Sequence, residues 1–160
     1  MRYNYCPICG TKLTIKNIAD EGNVPYCKIC ERPHFPSSKL CVLVAVMNED
    51  DEIALTKQKH IVEDAWILIS GFIKEGEEVE TAAIREVREE IGLEVTKCNY
   101  IKSYYIEQVD MLMLGFEAYV NKEPFRLSKE IDEIEWFSYE DARANIMSES
   151  VAEQLLINIK

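Results

Sequence analysis

Residues 71–93 read GFIKEGEEVETAAIREVREEIGL, and the segment Arg85 to Gly92, REVREEIG, sets two arginines among three glutamates before a glycine. From Glu78 to Ile91 the apolar positions Val79, Ala83, Val87 and Ile91 recur about once per helical turn, with Ala82 and Ile84 widening the stripe. That spacing predicts an amphipathic helix over 78–91, and Gly92 suits a left-handed cap at its end. Positions i, i+3 and i+4 share a face, so Glu86, Glu89 and Glu90 are expected to project their carboxylates into one patch opposite the apolar stripe. Like charges one turn apart, here Glu86 and Glu90, cost about 0.2–0.5 kcal/mol in an isolated helix, so the cluster favours a shared cation. Two readings stand at this point. Hard oxygen donors suit Mg²⁺ or Mn²⁺, with substrate phosphates and water completing the coordination; alternatively, the acids form a solvated face paired with Arg85 and Arg88.

The flanking sequence predicts the sheet against which this helix packs. KLCVLVAV, from Lys39, is a continuous apolar run of the kind found in a strand covered on both faces, and EIALTKQ and AWILIS follow as shorter strands. Beyond the helix, LEVTKCNYIKSYYI, DMLMLGFEAYV and EIEWF read as strands, and Ser138 and Ser150 as N-caps of two C-terminal helices. Ser150 with Glu153 has the spacing of a capping box. Strands interspersed with helices imply an α/β architecture, a mixed sheet with helices on its faces. Trp136 reads as core.

Upstream, six cysteines fall at 6, 9, 27, 30, 41 and 98. The first four form CPIC and CKIC with 17 residues between the pairs, which is zinc-ribbon spacing. Two such turns bring Cys6, Cys9, Cys27 and Cys30 to the corners of a closed tetrahedral site, leaving no position for substrate, so the zinc is structural. A redox pair or two disulfides is the alternative. A segment this short lies below the roughly 40 residues a domain usually needs without a metal or disulfides. Cys41 and Cys98 have no partner at ligand spacing and read as small buried hydrophobes. His34 and His60 are isolated. RPHFPSS, from Arg32, breaks regular structure and marks a linker, giving a ribbon over 1–38 and a second domain over 39–160.

Composition narrows the function classes. The chain has 160 residues, 48% hydrophobic and 29% charged, enough for a buried core under a wet surface. Its longest apolar run is far below the roughly 20 residues of a membrane helix, and the N-terminus lacks a basic start followed by an apolar stretch. No membrane association is expected, and the cytoplasm is the expected location. A formal net charge of −11 repels phosphate backbones, so general nucleic-acid binding is not expected and nucleotide contacts must be local and bridged by cations.

The 71–93 stretch resembles the Nudix box at every defined position: Gly71, five residues, Glu77, seven residues, then Arg85, Glu86, Val87, Glu89, Glu90, Gly92 and Leu93. The resemblance implies a Nudix fold, a mixed sheet sandwiched between helices, here preceded by a small zinc ribbon. It also implies hydrolysis of a nucleoside diphosphate linked to another moiety X, water attacking phosphorus to give a nucleoside monophosphate and phosphorylated X. In that reading Glu86, Glu89 and Glu90 hold Mg²⁺ or Mn²⁺, Glu77 ties its loop to Arg85, and Gly71 and Gly92 serve the backbone. Metal at such a site neutralises phosphate charge and acidifies a bound water. The family's general base varies: here it would be Glu89 or Glu90, or a later acid among Glu107, Asp110 and Glu117. Tyr104 or Tyr105 is a candidate for stacking on a nucleobase, whereas Trp66 and Phe72 read more naturally as packing residues.

A zinc ribbon directly before such a domain is similar to the bacterial NADH pyrophosphatases, as are HFPSSKLCVLVAV and SVAEQLLI. Two departures stand against NAD(H) as sole substrate. SYYIEQV, from Ser103, replaces that group's serine-glutamine-proline-tryptophan-proline-phenylalanine-proline run, and Ser37 replaces its usual arginine. ADP-ribose and similar compounds are therefore candidates too. Homodimers occur in the resembled group. Two further functions fit the resemblance: a sensor that binds a nucleotide derivative without cleaving it, and removal of NAD caps from RNA.

Overall fold

The computed structural model describes residues 4–35 and 37–159. They fall into two compact units, one ending at Ser38 and the other beginning at Lys39.

The first unit is a three-stranded antiparallel sheet of β1 (Thr14–Ile18), β2 (Gly22–Cys27) and β3 (Arg32–Pro33), in the order β1-β2-β3. Thr14 pairs with Tyr26, and Cys27 with Arg32. A turn ahead of β1 is closed by the Cys6 amide donating to the Thr11 carbonyl at 2.8 Å and Gly10 donating to the Cys6 carbonyl at 2.9 Å. The buried side chains here include Cys6, Val24 and Cys27, a core too small to hold a fold by apolar burial alone.

The second unit is built on a six-stranded sheet. Its strands are β4 (Lys39–Met47), β5 (Ile53–Lys57), β6 (Ile69–Phe72), β7 (Val95–Ile106), β8 (Met111–Val120) and β9 (Glu133–Phe137). The order is β7-β8-β4-β5-β9, with β6 also paired to β4. β4 and β8 run parallel, Val42 opposite Leu114 and Val44 opposite Phe116, while the other pairs are antiparallel. The sheet is therefore mixed, as the sequence implies.

Alternation along β4 sends its side chains to two cores. Val42, Val44 and Val46 pack with Ala82, Ala83, Val87 and Ile91 of α1 (Val79–Ile91). Leu43 and Ala45 pack on the other face with Ala142 of α2 (Tyr139–Asn145) and Leu155 and Leu156 of α3 (Val151–Asn158). A strand buried on both faces must be apolar throughout, which is why KLCVLVAV lacks alternation. Among the described residues no helix is long and apolar enough to cross a membrane.

Two local expectations need correction. AWILIS does not form a strand over its length: β6 begins at Ile69 and runs through Gly71 and Phe72, because it pairs with β4 from Val44–Ile69 to Cys41–Phe72. Trp66 and Ile67 make only isolated bridges. Ser150 does cap α3, accepting from the Glu153 amide at 3.0 Å, but the Glu153 carboxylate accepts from the Glu149 amide at 2.7 Å, and not from the Ser150 amide that would close the box.

Candidate active site

α1 places the acids, and contacts at its C-terminus and its midpoint fix where it lies. At its C-terminus Gly92 takes φ 73°, a left-handed conformation, and donates to the Arg88 carbonyl at 3.1 Å. The last carbonyls of a helix lack internal partners; here Ile91 accepts from the Arg126 amide and Glu90 from the Ser128 amide, each at 2.9 Å. From the middle of the helix Arg85 reaches back to the loop after β6. Its Nε and Nη2 donate to the two oxygens of Glu77 at 2.6 and 2.8 Å, and Nη2 also donates to the Phe72 carbonyl at 3.1 Å. The Lys74 amide adds a bond to Glu77 at 2.9 Å. The Arg85 hydrogen bonds, followed by the Lys74 amide, hold the Glu77 carboxyl down at about 2.

Glu86, Glu89 and Glu90 line one cavity of about 750 Å³, together with Gly71, Lys74 and Arg85. They differ in environment. Glu90 is only 4% exposed, so it borders the apolar stripe and does not lie opposite it as the helical wheel implies. Burial, then the charges of Glu86 and Glu130, push its carboxyl up to about 8, partly offset by a hydrogen bond from the Gln58 amide at 3.0 Å. Burial also raises Glu86, against the Arg85 Nη1 bond at 2.6 Å. For Glu89, at the mouth, burial is outweighed by Arg85 Nη1 at 3.0 Å and Lys74 Nζ at 3.4 Å, and its carboxyl lies below the usual range.

Gly71 makes room for this arrangement. A Cβ built there would lie 2.0 Å from the Glu86 Cδ. The requirement at Gly71 is thus close approach of the backbone to a carboxylate.

The three carboxylates share a cavity, but their oxygens are not gathered. Among the described residues the sole set of three or more ligand atoms within 4.8 Å of one another is the sulfurs of Cys6, Cys9, Cys27 and Cys30. The positively charged Arg85, through Nη1, bridges Glu86 and Glu89.

The later acids named from sequence do not line the cavity. Glu117 accepts from Asn99 at 2.8 Å, Asp110 accepts from the Tyr105 hydroxyl at 2.9 Å, and Glu107 lies in an exposed turn. Glu130 takes their place: it lines the cavity, and its charge acts on Glu90. Tyr104 is 7% exposed and belongs to the second core, so it cannot stack on a base. Tyr105 is exposed but does not line the cavity, whereas Phe72, read from sequence as packing, is 58% exposed and does. Gln58 and His60 also line it. No local pattern marks Gln58, Glu130 or His60, because each reaches the box acids only through the fold.

In the first unit Cys6 and Cys27 are buried and Cys9 is exposed. The Cys9 and Cys27 sulfurs lie 3.5 Å apart, and those of Cys6 and Cys30 3.9 Å apart. Crowding splits their acidities: the Thr11 side chain and backbone bring Cys9 down to about 6, and the hydrogen bond with Cys9 pushes Cys30 up to about 12. Four crowded sulfurs, with no disulfide among them, are a soft donor set suited to Zn²⁺. His34 Nε2, not singled out by spacing, lies 3.4 Å from the Cys6 sulfur.

Known proteins with similar sequences or structures bear on this site. The NUDIX domain profile matches residues 38–156. The NAD-capped RNA hydrolase NudC of Pseudomonas aeruginosa is 31% identical over 157 residues, 97% of this chain and 55% of that protein. Its namesake from Stutzerimonas stutzeri is 30% identical over 156 residues, with 97% and 55% covered. The chain thus spans about half the length of the curated relatives it matches. A NUDIX hydrolase from Nitrosomonas europaea superposes with a TM-score of 0.71 at 20% identity, covering 96% of this chain and 88% of that one. The NUDIX domain of Shewanella oneidensis NrtR, complexed with ADP ribose, does so at 0.68 and 14% identity, covering 84% and 91%. With Gly71, Arg85 and the three box glutamates lining one cavity and the profile matched over most of the chain, the protein belongs to the NUDIX domain family.

Proposed function

We propose that the chain is a divalent-metal-dependent pyrophosphohydrolase. It cleaves the pyrophosphate bond of a nucleoside diphosphate linked to another moiety, of the NAD(H) or ADP-ribose kind, to a nucleoside monophosphate and phosphorylated X. One observation carries this reading: three box carboxylates line a single cavity, one of them buried among like charges with an amide as its partner. Such a group needs a proton or a cation, all three donors are hard oxygens, and the missing side chain at Gly71 leaves room for the Glu86 carboxylate beside the others.

Glu86, Glu89 and Glu90 would hold Mg²⁺ or Mn²⁺, which supplies charge neutralisation at phosphate and a more acidic water. The chain's own side chains do the rest. Arg85 fixes the Glu77 loop and keeps the adjacent acids in reach, and Lys74 offers a phosphate a positive partner at the mouth. Phe72 presents an aromatic face to a base or to X. Glu130, Glu89 or Glu90 takes the proton from the attacking water, and of these Glu89 is the one that accepts a hydrogen bond from Arg85. Residues 39–160 form this hydrolase domain and residues 1–38 a ribbon in which four cysteines hold a structural zinc.

The test is a screen of NADH, ADP-ribose, diadenosine polyphosphates, nucleotide sugars and nucleoside triphosphates with Mg²⁺ and Mn²⁺. We expect monophosphate products from one class and a loss of roughly 10²-fold or more in Glu89→Gln. Unchanged turnover in that variant would remove the box acids from the mechanism. The relatives' name favours a second reading, removal of NAD caps from RNA. The net charge of −11 weighs against tight RNA contact; release of the cap from NAD-RNA faster than hydrolysis of free NAD would establish it. Tight ADP-ribose binding by calorimetry, without product, would instead make the chain a sensor.

A further inference from the structure

His34 is joined to the cysteine cluster by the fold, with nothing in its spacing to announce it. Its amide donates to the Pro25 carbonyl at 2.8 Å, extending the pairing of β3 with β2 that sets Pro33 opposite Tyr26 and Arg32 opposite Cys27. This hairpin delivers the half-buried imidazole to the buried Cys6, with Nε2 3.4 Å from its sulfur. The nitrogen stands outside the set of ligand atoms that lie within 4.8 Å of one another, so it is placed beside one sulfur and does not join the four as a ligand.

The chemistry then fixes its role. A cysteine bound to zinc is a thiolate, which accepts hydrogen bonds and donates none. A ring nitrogen in contact with it must carry the proton. Two other sulfurs already have such neighbours: the Cys30 amide donates to Cys27 at 3.3 Å, and the Thr11 hydroxyl lies 3.3 Å from Cys9. Four thiolates around one Zn²⁺ carry a net charge of −2, and each donor spreads part of that charge into the protein.

We propose that His34 is a positioning residue of the zinc site, donating its Nε2–H to the Cys6 thiolate and so retaining the metal. The proposal rests on the reading that the four cysteines hold zinc, and its test separates the two. Zinc content of the purified full chain comes first: a chain without zinc overturns both readings. Zinc release to a chromogenic chelator is then compared between wild type, His34→Ala and His34→Phe; the phenylalanine keeps a ring without a donor. We expect both variants to hold zinc roughly tenfold or more weakly, in line with the loss of other outer-shell partners. Release at the wild-type rate from His34→Phe overturns the proposal while leaving the zinc site standing. Nitrogen NMR of ¹⁵N-histidine-labelled wild type checks it without any substitution. A protonated Nε2 with a bare Nδ1 supports the bond, and a bare Nε2 overturns it.

Discussion

Glu90 is the residue on which the chemistry of the cavity turns, because its carboxyl is buried and, among the described residues, has the Gln58 amide alone as a hydrogen-bond partner. Its value rises from the ordinary 4.5 to about 8, so the folded metal-free protein prefers the neutral acid. Linkage gives the sign: the stability this group contributes is fully present below about 4.5 and is lost as pH rises through about 8. Stabilisation by Mg²⁺ should therefore be greater at pH 8 than at pH 5, since the cation takes the place of that proton, and thermal unfolding with and without the ion reads it. Glu90→Gln should flatten the dependence and remove the Mg²⁺ effect. Gly71→Ala would drive a methyl into the Glu86 carboxyl, 2.0 Å away. We expect it to fold but to bind Mn²⁺ roughly 10–100-fold more weakly in a calorimetric titration. The box acids were legible in the sequence because their spacing lies within one helix. Gln58 and Glu130 were not, since separations of 32 residues for Gln58–Glu90 and 40 for Glu90–Glu130 are bridged only by the sheet.

At the scale of elements, α1 and the loop before it act as one piece. Arg85 grips both oxygens of Glu77 and the Phe72 carbonyl, a planar fork that a lysine cannot reproduce. Arg85→Lys should speed hydrogen exchange at the Lys74 and Glu77 amides and lower turnover, with the sheet amides unchanged; equal protection in both proteins would refute this linkage. Ser150→Ala removes the acceptor for the Glu153 amide and should cost about 1 kcal/mol in denaturant unfolding. Periodicity revealed α1 almost to the residue, with only Glu78 moving from first helical residue to N-cap. It failed for β6, where the pairing that extends the strand through Gly71 to Phe72 is made with a distant partner. It failed again for Tyr104, because alternation along β7 does not say which face meets α3.

For the whole molecule, the two units should come apart thermodynamically. The first holds few buried side chains besides its cysteines, while the second has an apolar cluster on each face of its sheet. A strong zinc chelator should therefore abolish the dispersed amide NMR signals of residues 4–35 and leave those of the second unit in place. Loss of both sets together would show that the second unit depends on the first. The division was readable from the cysteine spacing and the proline-rich RPHFPSS, both local signals. The role of His34 was not, because 28 residues separate it from Cys6.

The stitch between Arg126, Ser128 and the end of α1 also constrains how this scaffold can change. The stretch from β8 to β9 does not hang free: its amides are spent on the final turn of the helix, only two residues short of Glu130. Deleting one residue between Ser128 and Glu130 would draw that acid out of the cavity, whereas extra length between Val120 and Arg126 would leave the anchor untouched. New substrate preferences are thus more readily gained by growth ahead of the stitch than by trimming behind it.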